Sequence, residues 1–267
     1  MIPKKIHYCW LSDEPLPQDV KNYIDGWRKI MPDYEIKKWD RKAINLDEHP
    51  FAKEAFEHKK YAFAADYIRV YALYTEGGIY LDSDVKVLKR FDDFLKYDYF
   101  TSVENQLTRC NYNLLINRFI DKEGNRLSGM NCYFLGIQAA IIGTTKNNVL
   151  MKDILTYYQN QNFILPDGTL FHNIAPIVHA RFAEKYGFKY VDKLQNIGSN
   201  MVVFPSSIFA TKGIRESEKT IAIHCCNGGW LNNDSGIKRF LKNNKFLLDL
   251  NLKWKIISKK NDLNLMK

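Results

Sequence analysis

Apolar and polar positions along this 267-residue chain switch between strand and helix rhythms from the start. Residues 2–10, IPKKIHYCW, end in aromatic side chains and read as a first strand. Pro15 and Pro17 break the chain, and residues 19–30 then place Val20, Ile24, Trp27 and Ile30 on one side of a helix. Pro32-Asp33 marks a turn, and residues 34–39 alternate as a second strand. Strand, helix, strand with apolar strands predicts a parallel half-domain of the nucleotide-binding kind. Pro50 opens a helix over 50–59, and an Ala- and aromatic-rich helix follows over 61–75. Gly77-Gly78 ends it, and residues 79–81 read as a short buried strand.

The pattern further on is less regular. It predicts strands at 85–88, 99–104, 138–144, 202–204 and 220–225, and helices at 90–96, 147–158 and 169–186, the last in spite of Pro176. Residues 105–130 are polar and poorly periodic, with a turn at 121–125, and are expected to form a mobile lid or acceptor loop. There is no internal repeat or clear linker, so a single domain is expected over 1–237.

Composition adds limits. At 46% hydrophobic and 26% charged residues the chain is ordinary globular material with a substantial core. No apolar run has the length of a bilayer span, and the amino terminus lacks a secretory apolar region. Five scattered cysteines, two of them the adjacent Cys225-Cys226, have neither disulfide nor zinc spacing. They are expected to be reduced thiols in a cytoplasmic protein. Charge is concentrated at one end: residues 238–267 carry nine Lys/Arg against Asp249 and Asp262, or +7 of the net +9. That segment also holds Phe240, Phe246 and Trp254. It suits either peripheral contact with the anionic inner face of a membrane or a docked terminal helix with lysines in water. The rest lacks a basic stripe, so nucleic acid is not an expected partner.

Candidate chemistry centres on Asp82-Ser83-Asp84, directly after the 79–81 strand. Ligands of open α/β sheets gather at the carboxyl ends of strands. Two carboxylates two residues apart there suit an oxygen-preferring divalent cation that carries a diphosphate, although a lone Asp-x-Asp more often caps a turn. Asp66 and Arg69 sit at i and i+3 of the preceding helix. On a surface they would be a weak ion pair; among Ala64, Ala65, Ile68, Val70 and Ala72 they read as a buried pair able to hold sugar hydroxyls and phosphate oxygens. Taken singly, Trp10, Tyr80 and His224 each read more readily as core residues. His49 and His58 read as surface residues, and His172 and His179 receive no metal.

The stretches IPKKIHYCW and AADYIRVYALYTEGGIYLDSDV, with the later HCCNGGW at 224–230, resemble glycosyltransferase family 32, whose members include capsular polysaccharide enzymes and initiating mannosyltransferases and which is related to glucosylating toxin domains. The resemblance covers about residues 2–104 and is densest at 61–88. It implies an α/β GT-A glycosyltransferase fold with a Rossmann-like mixed central sheet flanked by helices. It also implies a nucleoside-diphosphate sugar donor, Mn²⁺ or Mg²⁺, and retention of anomeric configuration. Carried onto this chain, Trp10 stacks on the base, and Tyr8 and His7 line the first strand. Asp66 and Arg69 hold the transferred sugar, Tyr80 supports ribose or phosphate, and Asp82 touches sugar or ribose and approaches the metal through water. Asp84 ligates the metal directly, His224 serves metal or diphosphate, and Trp230 closes over the diphosphate.

Two departures from the family pattern matter. Cys225 and Cys226 stand where a second His or a Trp is common, so His224, Cys225 and Asn227 all remain open as the second protein ligand. Ile174-Ala175-Pro176 replaces a Thr-Gly-Pro segment, which alters expected acceptor contacts. A polar residue near Gln138 is a further candidate to face the anomeric carbon. The expected reaction is hexose transfer, from a UDP-sugar by preference with GDP-mannose open, to an oligosaccharide or lipid-linked glycan acceptor in capsular or other surface polysaccharide synthesis. The alternatives are a metal-dependent nucleotidyltransferase or sugar-phosphate enzyme and a non-catalytic carbohydrate-binding protein.

Overall fold

A computed structural model describes residues 1–105, 119–127, 131–132, 134–213 and 216–226. Strand β1 (Lys5–Cys9) leads through helix α1 (Gln18–Ile30) to β2 (Glu35–Trp39). Helices α2 (Pro50–Glu57) and α3 (Tyr61–Glu76) follow, then β3 (Gly78–Leu81) and β4 (Val85–Val87). The second half contains β5 (Tyr99–Asn105), β6 (Leu135–Ile137), β7 (Ile141–Thr144), α4 (Val149–Gln159) and α5 (Ala175–Glu184). It closes with β8 (Gln195–Ile197), β9 (Met201–Phe204), β10 (Phe209–Thr211) and β11 (Ala222–His224).

The main sheet runs β2-β1-β3-β7-β5-β9-β8, with β6 also paired to β5. Its first three strands are parallel, the predicted Rossmann-like half. β7 is antiparallel to both β3 and β5, so the whole sheet is mixed and flanked by helices, as the GT-A expectation requires. A second sheet, β10-β11-β4, stands apart. Alternation along β3 divides the core: Ile79 and Leu81 pack with Trp27 of α1, whereas Tyr80 packs with the apolar residues of α3.

The α3–β3 junction sets the geometry of the site. Gly77 and Gly78 take φ of 69° and 106°, where a side chain is strained. A Cβ on Gly78 would lie 2.7 Å from the Lys5 carbonyl oxygen. His7 fills the space beside it. Its Nε2 donates to the Gly77 carbonyl at 2.7 Å, and its Nδ1 accepts from Trp39 Nε1 at 3.0 Å. His7 is fully buried in β1 and acts as a neutral strand-to-turn tie.

Other expectations also change. Residues 138–144 are not one strand: the chain turns at 138–140 between β6 and β7, where Thr101 Oγ donates to the Gln138 and Ile141 carbonyls. The predicted helix over 169–186 shrinks to α5, with Pro176 in its first turn, where a missing N–H costs nothing. That over 90–96 is a single 3₁₀ turn, Asp92–Phe94. His49 is buried against the Tyr67 hydroxyl at 2.8 Å, contrary to its surface reading. His172 is exposed ahead of α5, while His179 lies inside it. In the proposed loop, Asp121 accepts from the Glu123 and Asn125 amides; residues 106–118 and 128–130 lie outside the described residues, as do Asn227, Trp230 and the basic 238–267 segment. Cys9, Cys132, Cys225 and Cys226 are free thiols. No helix among the described residues is long and apolar enough to cross a membrane.

Burial pushes the His7 imidazole down from 6.5 to about 4. Below pH 6.5 the unfolded chain takes up this proton and the folded chain does not, so stability falls as pH drops from 6.5 towards 4. The full loss is about 3 kcal/mol from this residue. Urea unfolding at pH 7 and pH 4.5 should show that part of the decline in the wild type and its absence in His7→Gln.

Candidate active site

Asp82 and Asp84 occupy the tight turn between β3 and β4. The Asp82 N–H donates to the Ala140 carbonyl at 2.9 Å, and the Val85 N–H returns to the Asp82 carbonyl at 3.0 Å. The small sheet supplies the third member. β11 lies antiparallel to β4 with His224 opposite Val85, and the Cys225 N–H donates to the Asp84 carbonyl at 3.0 Å. His224 Nε2 therefore faces the acids, 3.4 Å from Asp84 Oδ1 and 4.0 Å from Asp82 Oδ2. Asp82, Asp84 and His224 each offer one ligand atom within a 4.8 Å span.

Arg69 holds the other side. Its Nη2 lies 3.0 Å from Asp82 Oδ1 and 3.1 Å from Asp66 Oδ1, and Nη1 donates to the Ala139 carbonyl at 2.9 Å. The guanidinium also lies over the Tyr80 ring, 4.8 Å from its centroid. Both Asp66 and Arg69 are buried, so the surface ion-pair reading does not apply. Burial raises the Asp66 carboxyl to about 7, against the opposing pull of Arg69. Burial also works against a charge on His224, but hydrogen bonds to Asp84 and Cys226 outweigh it and hold its pKa well above the ordinary range. Three carboxylates thus converge on one arginine and one histidine, with Arg69 on one side of Asp82 and His224 on the other. Two carboxylates and an imidazole are a donor set that a divalent cation fits.

The remaining predicted residues fall in different places. Tyr80 is 1% exposed and lies under the Arg69 guanidinium, so it braces Arg69 from beneath and offers no open face to a ribose. Tyr8 is buried edge-on against Trp27 in the α1-side core, away from the acids. Trp10 is half-buried at the end of β1, its Nε1 donating to the Glu14 carbonyl at 3.0 Å. Cys225 is buried, and its thiol points to the Ile223 carbonyl at 3.8 Å; of the two described candidates, His224 is the one that reaches the acids. Gln138 is buried with its Oε1 taking the Ala140 N–H at 3.2 Å. It steadies the turn whose carbonyls receive Arg69 and Asp82.

Those carbonyls, of Ala139 and Ala140, are site groups that side-chain reasoning does not find. Cys9 alternates with Tyr8 onto the α3 side of β1. A cavity of about 280 Å³ beside Lys37, Trp39, His49, Tyr71 and Glu76 lies along edge strand β2 and is not lined by Asp66, Asp82 or Asp84.

Residues 17–101 match the family described as glycosyltransferase sugar-binding region containing DXD motif. The chain is similar to the uncharacterized glycosyltransferase L373 of Acanthamoeba polyphaga mimivirus, 29% identical over 173 residues, which cover 61% of this chain and 68% of the viral one. It is also similar to inositol phosphoceramide mannosyltransferase 3 of Schizosaccharomyces pombe, 31% identical over 100 residues, or 36% of this chain but only 28% of the yeast enzyme. Among solved structures, the PaToxG glycosyltransferase aligns with a TM-score of 0.46 at 19% identity, over 69% of this chain and 68% of that one. The family match spans Asp66, Arg69, Asp82 and Asp84, the acids and the arginine described above.

Removing Arg69 leaves Asp66 and Asp82 without their shared cation, and breaking such a buried pair costs about 3–5 kcal/mol. Urea unfolding of Arg69→Ala should show a loss of that size. An ion that takes His224 Nε2 must displace its proton. Mn²⁺ affinity should therefore weaken as pH falls, by about tenfold per unit once His224 is protonated. Because that pKa is raised, the decline should begin above pH 6.5, and calorimetric titration of His224→Gln should show a flatter dependence.

Proposed function

We propose that this chain is a retaining, metal-dependent hexosyltransferase of glycosyltransferase family 32, with residues 1–237 as its catalytic unit. The observation that carries the reading is the convergence of Asp82, Asp84 and His224 within 4.8 Å, beside the buried Asp66–Arg69 pair. Asp82, Asp84 and His224 would hold Mn²⁺ or Mg²⁺. When bound, the cation supplies Lewis-acid stabilisation of the diphosphate that leaves the sugar.

The chain's own residues do the rest. Arg69 ties Asp66 and Asp82 into one rigid unit, so both carboxylates are set before donor arrives. Asp66, with a pKa of about 7, is able both to accept from and to donate to a sugar hydroxyl. Trp10 offers its ring to the base at the strand end. Among the described residues no carboxylate beyond these donor-binding acids is a clear nucleophile. The acceptor hydroxyl therefore attacks the anomeric carbon from the face the diphosphate leaves, and its proton passes to the departing phosphate oxygen. The transition state is oxocarbenium-like.

A UDP-sugar is the preferred donor. The likeness to a yeast mannosyltransferase keeps GDP-mannose as the second candidate. The acceptor is a glycan, free or lipid-linked, in capsular or other surface polysaccharide synthesis at the cytoplasmic face of a membrane. The basic composition of 238–267 supports that location.

Thermal melting with UDP, GDP, ADP or CMP in the presence of Mn²⁺ tests the reading, since a donor nucleotide stabilises only the folded state. One diphosphate should raise the Tm, and chelation should abolish the shift. Asp84→Ala should lose the shift and slow transfer by about 10²-fold or more. Unchanged transfer in Asp84→Ala, or no shift with any nucleotide, would sink the proposal.

A further inference from the structure

His224 presents its two ring nitrogens to different neighbours. Nε2 faces Asp84 and Asp82. Nδ1 faces the sulfur of Cys226 at 3.5 Å. A neutral imidazole carries a single N–H. A divalent ion held between the acids and His224 needs the lone pair of Nε2, so the hydrogen must reside on Nδ1. The group waiting for that hydrogen is the Cys226 thiol sulfur, an acceptor. The backbone commits to this arrangement. Cys226 takes a φ of 50°, uncommon for a residue with a side chain. Cys225 before it is anchored through its N–H to the Asp84 carbonyl. The thiol, the imidazole and the acidic turn therefore belong to one tied unit.

We propose that Cys226 is a positioning residue for the metal centre: its sulfur accepts the Nδ1–H of His224 and selects the tautomer whose Nε2 lone pair faces Asp82 and Asp84. This rests on the reading of Asp82, Asp84 and His224 as a divalent-cation site. Outer partners of ligating histidines are more often carboxylates or carbonyls. Here the chain uses an exposed thiol two residues beyond the ligand, so the second contact is local while the acids come from a distant strand.

The test is equilibrium Mn²⁺ binding to the full chain without nucleotide, read from the paramagnetic resonance of free Mn²⁺. Wild type, His224→Ala, Cys226→Ala and Cys226→Ser are compared, with thermal melting as the check on folding. Cys226→Ala should bind Mn²⁺ about tenfold more weakly at unchanged Tm, the low end for such partners because water reaches the exposed position. Cys226→Ser should recover to within about threefold of wild type, since its hydroxyl accepts the same N–H. If His224→Ala weakens binding but Cys226→Ala does not, or if serine is as weak as alanine, the positioning role is overturned and the cation site stands. If His224→Ala binds as wild type does, or wild type binds no Mn²⁺, the cation site itself is overturned and this inference with it.

Discussion

One guanidinium governs this site. Arg69 reaches two carboxylates from different elements, Asp66 one turn back on its own helix and Asp82 at the end of the next strand. Asp66 is buried and not tolerable as an unpaired charge, and Asp82 shares its cation, so α3 and β3 keep a fixed relation in register and distance. The tie between His7 and Gly77 enforces the same relation from the other end of α3. Tyr80 lies under the guanidinium as a platform. The acids are therefore set by the packing of the fold itself, and their side facing β11 is met by His224.

How much of this was legible in the chain follows from where each residue sits. The run from Asp66 to Asp84 carries its own instructions: helical spacing places Asp66 and Arg69 on one face, two glycines end the helix, and a period of two brings Tyr80 and Asp82 to the same side. Local rules suffice there, and the first βαβ unit is equally plain. They fail at 138–140, where an apolar run with no breaker residue turns because Thr101 captures its carbonyls. They also fail for β8 and β10, three-residue strands that exist only because a neighbouring strand accepts them. The packing of Tyr8 was not legible for a related reason: an aromatic ring near a strand end has two faces to choose from, and Trp27 supplied the apolar partner.

His224 was legible only through resemblance. Nothing within Ala222–His224 marks it as more than a core histidine; its role depends on β11 lying against β4 in the one register that sets it opposite Val85. Slippage by a single residue would turn the imidazole to the other face of the small sheet. The departures at Cys225 and Cys226 prove unequal in the structure. One thiol is packed inward, while the other touches the imidazole.

That small sheet has a wider consequence. Its β4 and β11 bring Asp84 and His224 together across 140 residues of chain. An ion ligated by both would be a clasp on a very long loop, and the entropy of keeping that loop closed would be set against coordination energy. The cohesion of the carboxyl-terminal strands with the rest of the molecule would then rise and fall with the supply of divalent cations. Metal availability would bear on the lifetime of the folded chain as well as on its chemistry.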